Sequence, residues 1–239
     1  MIKTFQYLNA MKKLSVIIPC YNESKTIREL LNQAIGASIG SWGKEIIVID
    51  DGSSDGTKDI LKEYEERIRV IYQEKNGGKG TAVSTGLKEA TGDYVLIQDA
   101  DLEYDPNDIT KLLTKIDVSE ADVVYGSRTL QQKKPTGRLI PRLGVWFITQ
   151  LINTFYRLKL TDVWTCYKLF PRAAAGDFVA GGFESELLFT AALARRKYRF
   201  AEVPISYYPR EISEGKKIRY RDGVYAIIAI VLDWFRNLI

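Results

Sequence analysis

Between Lys13 and Arg128 the chain alternates short apolar runs with segments whose apolar residues recur at helical spacing. The runs are LSVIIPCY, KEIIVIDD, RVIYQEK, DYVLIQDAD and ADVVYGSR, and they are largely β-branched. Between them lie ESKTIRELLNQAI, DGSSDGTKDILKEYEERI, GTAVSTGLKEA and PNDITKLLTKI. This order constrains the fold more than any other feature. Parallel strands need long crossovers, and a helix is the usual way to make one. Strands that are apolar at nearly every position must be covered on both faces. The expected class is therefore α/β, a mostly parallel sheet flanked by helices.

In open sheets of this kind, ligands bind beyond the carboxyl ends of the strands. Polar and special residues collect at each of those ends. The first strand ends at Pro19, Tyr21, Asn22 and Glu23, and the second at Asp50 and Asp51, followed by GSSDGT. The third leads into NGGKG with Lys79, and the fifth ends in GSR with Arg128. Each feature has a plain structural reading as well. GSSDGT is good turn and helix-capping chemistry. An acid after the second strand also suits ribose or base recognition. Tyr21 is either a stacking surface for a base or a core aromatic. NGGKG lacks the spacing of a Walker A loop, so Lys79 faces either a nucleotide or water.

The fourth run is followed by acids at alternate positions, Asp99, Asp101 and Glu103. On a continuing strand these would share one face and repel one another unless a cation or protons neutralised them. If the strand has already ended, they are solvated loop residues. Mg²⁺ and Mn²⁺ take oxygen ligands, and Mg²⁺ is usually held by one or two carboxylates together with substrate phosphates. Such an ion can neutralise a leaving diphosphate, which makes a nucleotide-sugar a natural donor.

Composition removes several alternatives. The chain has no histidine, so histidine triads and the usual histidine base are excluded. With two cysteines, Cys20 and Cys166, and no histidine, a structural zinc site of four cysteines, or of two cysteines and two histidines, is impossible. The net charge of +4 gives no argument for nucleic acid, and no binding motif supports it. Charge distribution is more informative. From Arg128 to Arg172 nine basic residues face one acid, Asp162, so an anion site beside a cation site is expected. No signal peptide is visible, and no run has the length to span a bilayer.

Taken in order, SVIIPCYNE, VIDDGSSDGT, NGGKGTAV, GDYVLIQDADLE and GSR resemble family 2 glycosyltransferases of the GT-A, Rossmann-like fold. LTDVWTCYKLF, FESELL, EVPISYYPR and EGKKI are similar to the dolichol-phosphate mannose synthase branch. The resemblance implies an inverting, Mg²⁺- or Mn²⁺-dependent transfer of a hexose from a donor such as GDP-mannose or UDP-glucose to a polyprenyl phosphate. By motif position, Pro19, Tyr21, Glu23, Asp50, Asp51, Lys79 and Asp99 would hold the nucleotide-sugar. Asp99, Asp101 and Glu103 would hold the metal. Asp101 and Arg128 would be the catalytic residues, and Arg128, Arg138, Arg142 and Lys168 would meet the acceptor phosphate. The family often has Gln where this chain has Glu103. An anionic phosphate acceptor needs little help from a base, which suits a chain without histidine. A hydroxyl acceptor in polysaccharide synthesis, or a noncatalytic nucleotide-binding module, are the alternatives.

The same reading divides the chain into a catalytic domain over 13–210 and, over 211–239, a basic loop with an amphipathic helix. That helix, like Leu143–Leu158, suits either a membrane interface or internal packing. The expectation is a cytoplasmic protein, peripheral at the cytoplasmic face of the membrane, held there by its own surface or by a separate anchoring subunit.

Overall fold

The computed structural model describes residues 11–130, 139–182, 184–210 and 220–237. A seven-stranded sheet forms the centre, in the order β3-β2-β1-β4-β6-β5-β7. The strands are β1 (Lys13–Cys20), β2 (Gly43–Asp50), β3 (Arg69–Tyr72), β4 (Tyr94–Ile97), β5 (Val123–Ser127), β6 (Lys168–Pro171) and β7 (Phe200–Pro204). β6 runs antiparallel to both β4 and β5, and the other neighbours are parallel. The helices are α1 (Ile27–Gly36), α2 (Thr57–Lys62), α3 (Lys79–Glu89), α4 (Ile109–Asp117), α5 (Leu139–Tyr156), α6 (Ser185–Arg195) and α7 (Tyr220–Arg236). The fold is α/β of the GT-A type.

The helices form where apolar spacing demands burial. Ile27, Leu30, Leu31 and Ala34 of α1 recur on one face and are all buried. Truncating Leu30 to Ala would cost about 2–5 kcal/mol, as for other fully enclosed leucines. Helix α3 lies so close to the sheet that a side chain at Gly86 would meet Ile17 at 2.5 Å. Only glycine permits that approach.

Strand register sets the shape of the carboxyl edge. β1 pairs with β2 out to Cys20 and Asp50, so the loops that follow them start level. β4 leaves the ladder at Ile97, opposite Ile17, three residues before β1 ends. The run expected to continue as a strand to Asp101 therefore stops four residues earlier. The chain then turns, with Leu102 in the left-handed region at φ 61°. A leucine there is strained by roughly 1–3 kcal/mol, and such strain persists only where surroundings enforce it. The acids consequently do not line one strand face. Nor are they solvated, since Asp99, Asp101 and Glu103 are all partly buried.

Strand β6 was not anticipated. It lies within CYKLF, which reads from sequence as a motif rather than a strand. It lies between β4 and β5 and carries the second half of the chain onto the sheet. At the far end, α7 packs against α5 and α6. Phe155 stacks on Trp234 at 4.6 Å, and Tyr156 donates its hydroxyl to Asp233 at 2.6 Å.

Candidate active site

The loops after β1 and β2 are stitched to each other. Asn22, at φ 53°, accepts the Ser54 N–H at 2.8 Å, and its own N–H reaches the Ser53 hydroxyl at 2.9 Å. The Glu23 N–H donates to Thr57 Oγ1 at 3.0 Å, and the Ser24 N–H donates to Asp55 at 3.1 Å. Burial raises the pKa of Asp55, but the hydrogen bonds from Thr57 and Ser24 outweigh it and bring the carboxyl to about 2. Asp51 is buried and accepts the Gly77 and Gly78 N–H groups, both at 2.8 Å. Its two oxygens thus hold the glycine loop. Pro19 and Tyr21 are half-buried at the rim.

Asp50 differs from its neighbour. It is fully buried, and one oxygen accepts the Ser53 N–H at 3.2 Å, with Lys58 3.9 Å away. Its other oxygen, Oδ1, has no hydrogen-bond partner among the described residues. A buried acceptor left unmade costs about 1–3 kcal/mol, so the position fits an N–H supplied by a ligand.

At the acid turn, charges from distant segments meet. Lys79, in the first turn of α3, lies 2.6 Å from Asp99 and 2.9 Å from Glu186 of α6. Glu186 in turn holds Lys168 at 3.0 Å. Burial opposes ionisation of Glu186, but the two lysines overcome it and bring the carboxyl to about 2. The segment 181–182 presses so closely on α3 that a side chain at Gly80 would meet the Gly181 carbonyl at 2.3 Å. Glycine at 80 is what allows the two segments to approach.

On the other side of the turn, Arg210 forks onto Glu23 at 3.0 and 3.2 Å and reaches Asp101 at 2.9 Å. Its backbone N–H donates to one oxygen of Glu103 at 2.8 Å, and the Tyr207 hydroxyl donates to the other at 2.9 Å. Burial, then the charges of Asp99 and Glu103, push Asp101 up to about 6, and Arg210 offsets this only in part. Counting Glu23, Asp99, Asp101, Glu103 and Glu186 against Lys79, Lys168 and Arg210 leaves a formal surplus of two negative charges. A hard divalent cation with oxygen ligands suits that surplus. As the side chains stand, no three acids among the described residues converge on one point that would hold an ion. Asp99 faces Lys79, Asp101 faces Arg210, and Glu103 faces the 207–210 segment.

The basic segment is less open than its composition suggests. Arg128 makes a fork with Asp162 at 2.7 and 2.8 Å, donates to the Trp164 carbonyl at 3.0 Å and lies 5.1 Å from the Tyr207 ring. About one sixth of its side chain, 17%, remains exposed. Lys168 is completely buried, between Glu186 and the Tyr125 ring. Lys168 is thus held in a core ion pair with no exposed surface, an arrangement that does not favour the expected contact with an acceptor phosphate. Arg142 is exposed on α5, and Arg138 lies outside the described residues.

Four residues of this centre went unassigned in the sequence: Asp162, Glu186, Tyr207 and Arg210. Glu186 lies in FESELL and Arg210 ends EVPISYYPR, so the segments were marked but not the side chains. Asp162 did carry a signal, as the lone acid in a basic stretch.

An unmet buried acceptor, a glycine loop and an acid turn thus meet along one sheet edge. The sequence profile of Glycosyl transferase family 2 matches residues 15–178, and the protein belongs to that family; it is a glycosyltransferase. It is 32% identical over 235 residues to the UDP-N-acetylglucosamine–dolichyl-phosphate N-acetylglucosaminyltransferase of Methanococcus voltae, covering 87% of this chain and 90% of that one. It is 27% identical over 230 residues to the dodecaprenyl-phosphate galacturonate synthase of Rhizobium johnstonii, covering 92% of this chain and 65% of the relative. Among solved structures, glucosyl-3-phosphoglycerate synthase from Mycobacterium tuberculosis, in complex with Mn²⁺, UDP and phosphoglyceric acid, superimposes with a TM-score of 0.71. The identity is 19%, with 93% of this chain and 78% of that chain covered. S. aureus TarS 1–349, in complex with UDP-GlcNAc, gives 0.63 at 22% identity, covering 92% and 66%. These structures share the fold.

Proposed function

We propose that this glycosyltransferase moves a sugar from a nucleoside-diphosphate donor to the phosphate of a polyprenyl lipid. The observation that carries the reading is the relationship across almost the whole chain to an enzyme named for a dolichyl-phosphate acceptor, supported by a second named for a dodecaprenyl phosphate. Those relatives are named for different sugars, so the choice of sugar is a separate question.

The residues divide the work as follows. Asp50 Oδ1 accepts an N–H of the base, and Asp51 fixes the glycine loop beside the phosphates. A divalent cation, Mg²⁺ or Mn²⁺, held by Asp99 and Asp101 with Glu103 beside them, would neutralise the departing diphosphate. Lys79 adds a positive charge next to Asp99. An oxygen of the lipid phosphate attacks the anomeric carbon as the bond from that carbon to the diphosphate oxygen breaks. The electron pair leaves with the nucleoside diphosphate, and the anomeric centre inverts. The attacking oxygen is already anionic, so no base is required. Arg128, held by Asp162, and Arg142 stand on the acceptor side.

The lipid tail needs a surface. Leu143, Trp146 and Phe147 of α5 and Ile228, Leu232 and Phe235 of α7 are between 48% and 60% exposed, on two helices that pack together. Large exposed apolar faces of this kind mark interaction sites. An aromatic-rich helical face beside basic residues suits the lipid headgroup boundary, which would make the protein peripheral at the cytoplasmic side. Among the described residues no helix is long and apolar enough to cross a membrane.

The test is release of nucleoside diphosphate from a panel of donors, UDP-N-acetylglucosamine, UDP-galacturonate, UDP-glucose and GDP-mannose. Each is assayed with and without Mn²⁺ and a short polyprenyl phosphate. Release that needs both additions is the expected result. Release indifferent to the lipid phosphate would overturn the acceptor assignment.

A further inference from the structure

The most unusual feature of the site is a cation where the donor chemistry calls for one. Arg210 comes from the segment after β7, more than a hundred residues beyond the acid turn. Its guanidinium bridges Glu23, at the end of β1, to Asp101, at the end of β4. Arg210 and Asp101 each expose only 17% of their side chains, so the contact is shielded from water. The backbone around it is fastened too. The Tyr208 N–H donates to the Glu103 carbonyl at 2.9 Å, and Tyr104 bridges to Tyr207.

One detail shows that this seat is incomplete: the Arg210 Nε–H is buried and has no partner among the described residues. The guanidinium offsets one charge where the surplus calls for two more.

We propose that Arg210 is a stand-in for the divalent ion. In the donor-free protein its guanidinium occupies Asp101, and it must leave that carboxylate before a metal binds there, so the ion loads by cation exchange. Glu103 takes a different part from the other acids. Both its oxygens are engaged by Tyr207 and by the Arg210 backbone, so it anchors the exchanging segment while Asp101 receives the ion. This gives a reason for Glu at this position: two donors, a hydroxyl and a backbone N–H, converge on it, and a carboxylate accepts both.

The inference rests on the reading of Asp101 as a metal ligand, and the experiment separates the two. Mn²⁺ binding to the full, donor-free chain is measured by the electron paramagnetic resonance of free Mn²⁺. If Arg210 holds its seat nine-tenths of the time, apparent affinity is lowered about tenfold, so Arg210→Gln should tighten Mn²⁺ binding by about that factor. Arg210→Lys, which keeps the charge and loses the fork, should fall between. Asp101→Asn should weaken binding. Weaker binding in Asp101→Asn with no tightening in Arg210→Gln overturns the stand-in. Unchanged binding in Asp101→Asn overturns the metal assignment itself. A wild-type measurement covers the case in which Arg210→Gln does not fold. The Arg210 Nε–H resonance should move with Mg²⁺ at the midpoint of Mg²⁺ binding, and a resonance that stays fixed through saturation overturns the proposal.

Discussion

Two parts of one sheet edge solve the same problem differently. In the loop after β2, Asp51 and Asp55 are held by backbone N–H groups and a hydroxyl. Asp51 has two glycine N–H donors and Asp55 has Thr57 and Ser24, partners set by local loop geometry. The turn after β4 holds Asp99 and Asp101 with long cationic side chains brought from α3 and from the segment after β7. Hydrogen bonds from a folded loop cannot be exchanged without unfolding the loop. An ammonium or guanidinium on a flexible stem can swing away and be replaced by another cation. The first arrangement suits a part of the ligand that is always the same shape, such as a base. The second suits the place where charge must arrive and leave during a reaction.

The largest expected effect tests the exchangeable side. Asp101→Ala should lower transfer by about 10³-fold or more, as expected when the group holding a charge-neutralising ion is lost. Far-ultraviolet circular dichroism should be unchanged, because the acid lies in a turn and not in the core. Transfer that persists at ordinary Mn²⁺ concentration would remove Asp101 from the site. Next in size is Lys168→Met, which breaks the buried pair with Glu186 and should destabilise the fold by about 3–5 kcal/mol, read from urea denaturation. The Michaelis constant for the lipid phosphate should stay within about twofold, since Lys168 does not reach the surface; only a change above the few-fold range would return it to the acceptor site.

These two residues also show what sequence reveals and what it hides. The sheet, its edge and the acids were legible because each is a local pattern: apolar runs, turn residues, acids at alternate positions. β6 was not legible, because four residues between two loops carry no periodicity of their own. Lys168 reads as one of nine basic residues in its segment. Only β6 turns its side chain inward, and only Glu186 on α6 makes that burial tolerable. Arg210 lies over a hundred residues from the acids it faces, and no spacing rule connects them. The nature of the acids was visible, then, while their partners were decided by tertiary packing.

On the settled side, Asp51→Asn keeps the shape but replaces one acceptor oxygen with a donor, opposite the Gly77 and Gly78 N–H groups. The loss should be about 1–3 kcal/mol of stability, with weaker donor binding measured by calorimetry. A variant that weakens donor binding with no loss of stability would mean that Asp51 touches the donor directly and that the two sides are less distinct than their partners suggest.

The smallest effect separates the two sides by the sign of a pH dependence. Asp101 titrates at about 6 in the folded protein against an ordinary value of 3.8, so the folded state resists its ionisation. Below pH 3.8 the side chain is protonated in both folded and unfolded chains, and it contributes no difference. Between 3.8 and 6 the folded chain binds the proton more tightly, and above 6 the charge is a burden borne only by the folded state. Asp101→Asn is neutral throughout. In metal-free buffer its melting temperature should therefore exceed that of the wild type at pH 7 to 8. The gap should shrink as pH falls through 6 and vanish near 4. Asp55 predicts the reverse: its carboxyl is held near 2, so Asp55→Asn should be the less stable protein at neutral pH and should draw level as pH falls toward 2. If Asp101→Asn is instead destabilised at pH 8, then the Arg210 pairing outweighs burial and like-charge repulsion. The acid turn would then be as settled as the loops beside it, and it would hold its cation as a permanent part of the fold.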